Sequence, residues 1–139
     1  MMSLGFVMIA VSTMGSFVHV QGNFDVTFQV NTSLITVGTG MYVGGGLLGH
    51  AREHAMSDTG DGVWEVTVSL PHGTTGNYVF LNSPTHDGDW GTKEDLGGQD
   101  CADGQYNDRR LDPVTEDTTL TFCFATCDET CPDPNSIVY

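Results

Sequence analysis

The chain has 139 residues, enough for one domain with a hydrophobic core of its own. Its 18 Asp and Glu against 4 Lys and Arg give a formal net charge of −14, a balance that excludes nucleic acid as a partner. Such acidity serves solubility, draws divalent cations, or spaces the subunits of a charged assembly.

In chain order, the first stretch (1–20, MMSLGFVMIAVSTMGSFVHV) contains no Asp, Glu, Lys or Arg. Three readings compete for it. A secretory signal peptide would use Leu4 to Val11 as its apolar run, but no basic residue precedes that run. A membrane helix needs about 20 apolar residues, and Ser12, Thr13, Gly15 and Ser16 interrupt this one, so no membrane span is expected. The third and favoured reading is a retained β-strand. Leu4, Phe6, Met8, Ala10 and Met14 would line one face and Gly5, Val7, Ile9 and Val11 the other. A strand apolar on both faces wants a groove, not a sheet edge. The expected division is therefore an arm over residues 1–22, a body over 23–127 and a tail over 128–139.

After a turn at Gln21-Gly22-Asn23, Phe24, Val26, Phe28 and Val30 alternate with Asp25, Thr27 and Gln29, the pattern of a half-buried strand. Asn31-Thr32-Ser33 is an N-glycosylation sequon in a loop position. Gly40 to Val43 is a short strand running into Gly44-Gly45-Gly46, where missing side chains allow close backbone approach. His50 and His54, with Glu53, would share a face on a helix as metal ligands do, but no third ligand stands at a fixed spacing. Ser57 to Gly62 is a turn that resembles the first half of a calcium loop without its distant Glu. Val63 to Leu70 alternates strictly, and Asn77 to Asn82 follows a short turn as its expected hairpin partner.

From Ser83 to Asp108 the chain is loop-like, with Asp87, Asp89, Glu94, Asp95, Asp100, Asp103 and Asp108 among its residues. A loop this long in a compact domain is functional or pinned. Cys101 is one pin, Trp90 a hydrophobic anchor, and a structural calcium ion a further one, since that ion takes oxygen ligands. The last strong strand is Asp117 to Ala125, with Leu120, Phe122 and Phe124 facing one way. The four cysteines, Cys101, Cys123, Cys127 and Cys131, predict two disulfides made outside a reducing cytosol, with zinc as the rival use. The pairing favoured from the strand around Cys123 is Cys101–Cys123 with Cys127–Cys131, although spacing alone does not prove connectivity. Short strands punctuated by turns, with no helical period, predict an all-β sandwich of about seven strands. No phosphate-binding glycine loop and no nucleophile elbow appears, so no enzyme is expected.

Four segments together carry a resemblance: Phe24-Asp25-Val26-Thr27-Phe28-Gln29-Val30, Met41-Tyr42-Val43-Gly44-Gly45, Asp61-Gly62-Val63-Trp64-Glu65-Val66-Thr67-Val68, and Asn77-Tyr78-Val79-Phe80. They resemble the starch-binding-type Ig-like module of secreted bacterial proteins, and Trp90-Gly91 and Phe122-Cys123-Phe124 fit it too. The resemblance implies an Ig-like body that binds sugars through exposed tryptophans, often just after the glycine-rich strand. Here that place reads Leu47-Leu48-Gly49-His50 and holds no aromatic residue.

The apolar arm added to such a body resembles subunits of extracellular fibrils and pili assembled by donor-strand exchange. That resemblance implies Leu4, Phe6, Met8, Ala10 and Val11 as donor residues, with a groove lined by Phe24, Val26, Phe28, Val30, Leu120, Phe122 and Phe124. Five or six such side chains at ~1.5–3 kcal/mol each would contribute on the order of 10 kcal/mol. Head-to-tail contacts that do not close generate a filament of copies of the chain. The leading expectation is therefore a secreted fibril subunit. A second is a carbohydrate-binding module using Trp64, Trp90, Tyr78 or Tyr106, and a third a metal-dependent hydrolase using His50, Glu53 and His54.

Overall fold

The computed structural model describes residues 22–135. The donor residues Leu4, Phe6, Met8, Ala10 and Val11 lie outside the described residues, as does the end of the tail, 136–139. The described residues are all-β, with eight strands: β1 (Asn23–Asn31), β2 (Met41–Gly44), β3 (His54–Ala55), β4 (Ser57–Asp58), β5 (Val63–Pro71), β6 (Gly76–Asn82), β7 (Arg109–Leu111) and β8 (Thr118–Cys123). They form two four-stranded sheets, ordered β4-β5-β1-β8 and β3-β2-β6-β7.

The alternation in β1 is what seats the first sheet. Val26, Phe28 and Val30 are completely buried, and Phe24 packs at the margin of the same core. Its other face makes a polar cross-strand ladder. Thr27 Oγ1 meets Thr67 Oγ1 at 2.8 Å, Gln29 Nε2 donates to Glu65 at 2.8 Å, and Thr121 Oγ1 donates to Gln29 Oε1 at 2.7 Å. β1 runs antiparallel to β5 and parallel to β8. From the facing sheet Met41, Val43, Tyr78 and Phe80 close the core, with Phe28 and Tyr78 in edge-to-face contact at 5.0 Å between centroids. Burial pushes the Tyr78 hydroxyl well above the usual phenol range.

The expected hairpin between Val63–Leu70 and Asn77–Asn82 does not form. β5 already has β1 on one edge and β4 on the other, so β6 crosses to the second sheet and pairs with β2 and β7. The turn that redirects it is tied elsewhere: Gly73 N–H donates to the Val114 carbonyl and Val114 N–H to the Thr74 carbonyl. The side chains of β6 explain the choice. Tyr78, Val79, Phe80 and Leu81 form an unbroken apolar run, the signature of a strand covered on both faces. Tyr78 and Phe80 enter the main core, while Val79 and Leu81 pack with Ala51 and Tyr42 in a second cluster. A further crossing occurs at Met56, which separates β3 in one sheet from β4 in the other and is itself buried in the core.

Candidate functional site

Beside the glycine-rich end of β2 lies a cleft of about 450 Å³, lined by Gly45, Gly46, Asn77, Trp90, Lys93, Tyr106 and Asp108. Its size falls within the range of ligand sites. Gly45 and Gly46 have φ of +82° and +48°, in the left-handed region that disfavours a side chain. A Cβ on Gly46 would collide with the Asn77 carbonyl oxygen, and one on Gly45 would stand 3.7 Å from the Trp90 ring and 3.8 Å from Asp108 Oδ2. The glycines therefore keep the floor open and bring the indole and the carboxylate to one point.

The aromatic walls are held from beneath by aspartates. Trp90 starts a 3-10 turn, Trp90–Thr92, whose preceding residue Asp89 accepts hydrogen bonds from Gly91 N–H at 3.2 Å and Thr85 N–H at 2.8 Å. Asp103 Oδ1 accepts from Tyr106 N–H at 3.1 Å and from Asp108 N–H at 2.8 Å. The Thr85 amide holds the Asp89 carboxyl below the usual carboxylate range, and the Asp108 amide does the same for Asp103. Lys93 Nζ spans the cleft base, donating to the Tyr106 carbonyl at 2.6 Å and to Asp108 Oδ1 at 2.7 Å. Trp90 and Tyr106 are 41% and 58% exposed.

Several other acids have the same occupation. Asp58 caps Gly60, Asp61 caps Val63, Asp95 caps Gly97, and Asp133 caps Asn135, each accepting a backbone N–H. Among the described residues no cluster of three or more His, Cys, Asp or Glu side chains is placed to hold a metal ion. No family model matches the chain, and no curated protein matches it.

Behind the cleft sits a buried ion pair. Glu94 and Arg109 are 1% and 2% exposed and meet through two hydrogen bonds, Nε to Oε2 at 2.8 Å and Nη2 to Oε1 at 2.7 Å. Glu94 also accepts from Phe80 N–H and Ala125 N–H, and Arg109 Nη2 donates to the Thr126 carbonyl. The guanidinium carbon lies 5.3 Å from the Phe80 ring centroid and 4.5 Å from that of Phe122. This pair joins β6, β7 and the turn after β8 across the floor of the loop that carries Trp90.

The two disulfides are Cys101–Cys127 and Cys123–Cys131, which corrects the expected pairing Cys101–Cys123 with Cys127–Cys131. The chain reverses after β8 through Ala125, at φ +66°, so that Cys123 N–H donates to the Asp128 carbonyl and Cys131 comes over Cys123. Cys127 is left facing the loop from Gln99 to Cys101, where Gln99 donates to the Ala125 carbonyl and accepts from Cys127 N–H. The Cys123–Cys131 bond also ties part of the expected tail, 128–139, back to the body.

The remaining expected residues are dispersed. Trp64 is half-buried against the main core and Tyr78 is 1% exposed, and neither lines the cleft. No helix carries the two histidines: His54 lies on β3, while His50 meets Glu53 at 2.8 Å and Asp87 at 3.3 Å on the surface. Asn31 ends β1 half-buried, its side-chain oxygen accepting from Ser33 N–H. Val26, Leu120 and Phe122 line a second groove of about 240 Å³ with Tyr78, Leu111 and Val114, beside β8 at the end of its sheet. Phe28 and Val30 are wholly inside the core, and Phe24 and Phe124 pack against it. Sequence reasoning missed Asn77 and Lys93 in the cleft, and singled out Asp108 only as one of the loop acids that could hold a cation. The triple glycine at the end of β2 was the available signal for close approach there, and nothing local marked Asn77 or Lys93.

Among the described residues no helix is long and apolar enough to cross a membrane. Two disulfides in so short a chain indicate folding in an oxidising environment.

Proposed function

We propose that this chain is a secreted carbohydrate-binding module with an Ig-like body, gripping a polysaccharide between Trp90 and Tyr106. The observation that carries the reading is the pair of exposed aromatic rings in one cleft that Asn77, Lys93 and Asp108 also line. A sugar ring offers an apolar face to stack on an indole and hydroxyls at its rim for polar partners. The resemblance of β1, β2, β5 and β6 to starch-binding-type modules supports it, although the aromatic residues come from the loops after β6, not from the end of β2. Replacing Trp90 with alanine is expected to weaken polysaccharide binding by about 2 kcal/mol, roughly 30-fold, as loss of a central aromatic anchor does. Affinity electrophoresis through gels cast with different polysaccharides measures this, with melting temperature as the check on folding. A variant retarded as strongly as the parent chain would overturn the reading.

A second reading, an extracellular fibril or pilus subunit that polymerises by donor-strand insertion, has its own support. The groove holds Val26, Leu111, Val114, Leu120 and Phe122 beside the polar side chains of Arg110, Asp112, Glu116 and Thr118, and lies along β8, whose outer edge has no strand beside it among the described residues. An uncharged arm of about 20 residues is a chemically suited occupant. Removing residues 1–14 is expected to convert filaments to monomers under negative-stain microscopy. Filaments that persist without those residues would rule it out.

A further inference from the structure

We propose that the cleft selects uncharged, hydroxyl-rich polysaccharides over acidic ones, and that Asp108 is the specificity-determining residue. This rests on the carbohydrate reading of the same cleft. The Asp108 side chain is 11% exposed, and its Oδ1 is taken by Lys93 Nζ at 2.7 Å. Its Oδ2 accepts no hydrogen bond among the described residues, and both it and the Trp90 ring lie within 4 Å of where a Cβ on Gly45 would stand. A carboxylate oxygen that no protein donor occupies and that opens into the cleft is free to accept from a ligand. A sugar hydroxyl supplies one while its ring stacks on the indole. A uronate carboxylate or a sulfate ester would instead set oxygen against oxygen.

Lys93 is the one cation in the cleft lining, and it is already engaged. Lys93 already gives two of its three N–H groups to Asp108 and the Tyr106 carbonyl. Arg109 is buried on Glu94, Arg52 lies over the Tyr42 ring, and Arg110 lines the other groove. With these four the Lys and Arg of the chain are exhausted, and the net charge of −14 adds a general repulsion of polyanions.

The test compares the parent chain, Asp108→Asn and Trp90→Ala in affinity gels. The neutral probes are glucan, mannan and xylan; the acidic probes are polygalacturonate and a sulfated galactan. Each is run at low and at high salt. The parent chain is expected to bind at least one neutral polymer about tenfold or more tightly than either acidic one, with neutral binding insensitive to salt. Asp108→Asn is expected to lose about tenfold on the neutral polymer and to narrow the gap to the acidic ones. A parent chain that prefers an acidic polymer, with Trp90→Ala abolishing that binding, would overturn the selectivity and leave the carbohydrate reading standing. Retention on no polysaccharide would overturn both. Should Asp108→Asn fail to fold, the preference and salt dependence of the parent chain still decide.

Discussion

Glu94→Ala is expected to destabilise the fold by about 3–5 kcal/mol, the cost of leaving one member of a buried ion pair without its counter-charge. The side chain accepts four hydrogen bonds: two from Arg109, one from Phe80 N–H and one from Ala125 N–H. Alanine would strand a guanidinium that is 2% exposed, and would also orphan two backbone donors. Glu94→Gln keeps the volume but turns an N–H toward donors, so it is expected to lose nearly as much. Joint replacement by apolar residues, Glu94→Leu with Arg109→Met, is expected to recover part of the loss, because no charge is then buried. Equilibrium denaturation in urea gives the values. A single-variant loss below about 1 kcal/mol would show that the pair is not desolvated as its burial implies.

The second large effect concerns the disulfides. Cys101–Cys127 bridges a sequence separation of 26 and Cys123–Cys131 one of 8. Loop-closure entropy then predicts a loss of about 3.5 kcal/mol for Cys101→Ala with Cys127→Ala, against about 2.6 kcal/mol for Cys123→Ala with Cys131→Ala. The first pair also anchors the loop that presents Tyr106, through Gln99 and the Cys101 amide, which donates to Cys127 Sγ at 3.1 Å. Its removal is expected to speed amide exchange at Gln105, Tyr106 and Asn107 more than in β1. Equal exchange in both variants would mean that the aspartate caps alone hold the loop.

How much was legible in the sequence follows from how local each signal is. The buried face of β1 was readable because side chains on a strand alternate with a period of two, and Phe24, Val26, Phe28 and Val30 obey it. β5 and β8 were readable for the same reason. The hairpin of β5 and β6 was misread because a short turn between two strands looks alike whether the second strand pairs with the first or crosses to another sheet. Only the occupied edges of β5 distinguish the two cases. The acids between Ser83 and Asp108 suggested a cation, whereas Asp89, Asp95 and Asp103 each cap amides within a few residues of themselves.

The sequence alone determined the all-β character, the strands with strong alternation, and the presence of two disulfides, since composition, periodicity and an even cysteine count act over short ranges or over the whole chain. The tertiary structure decided which cysteines met, that Trp64 packed half-buried against the core while Trp90 joined the cleft, and that Asn77, Lys93, Tyr106 and Asp108 met there with it. Those outcomes depend on which surfaces the two sheets cover when they pack, and on where the chain reverses after β8. Both are relations between residues far apart in the chain, which no local pattern encodes.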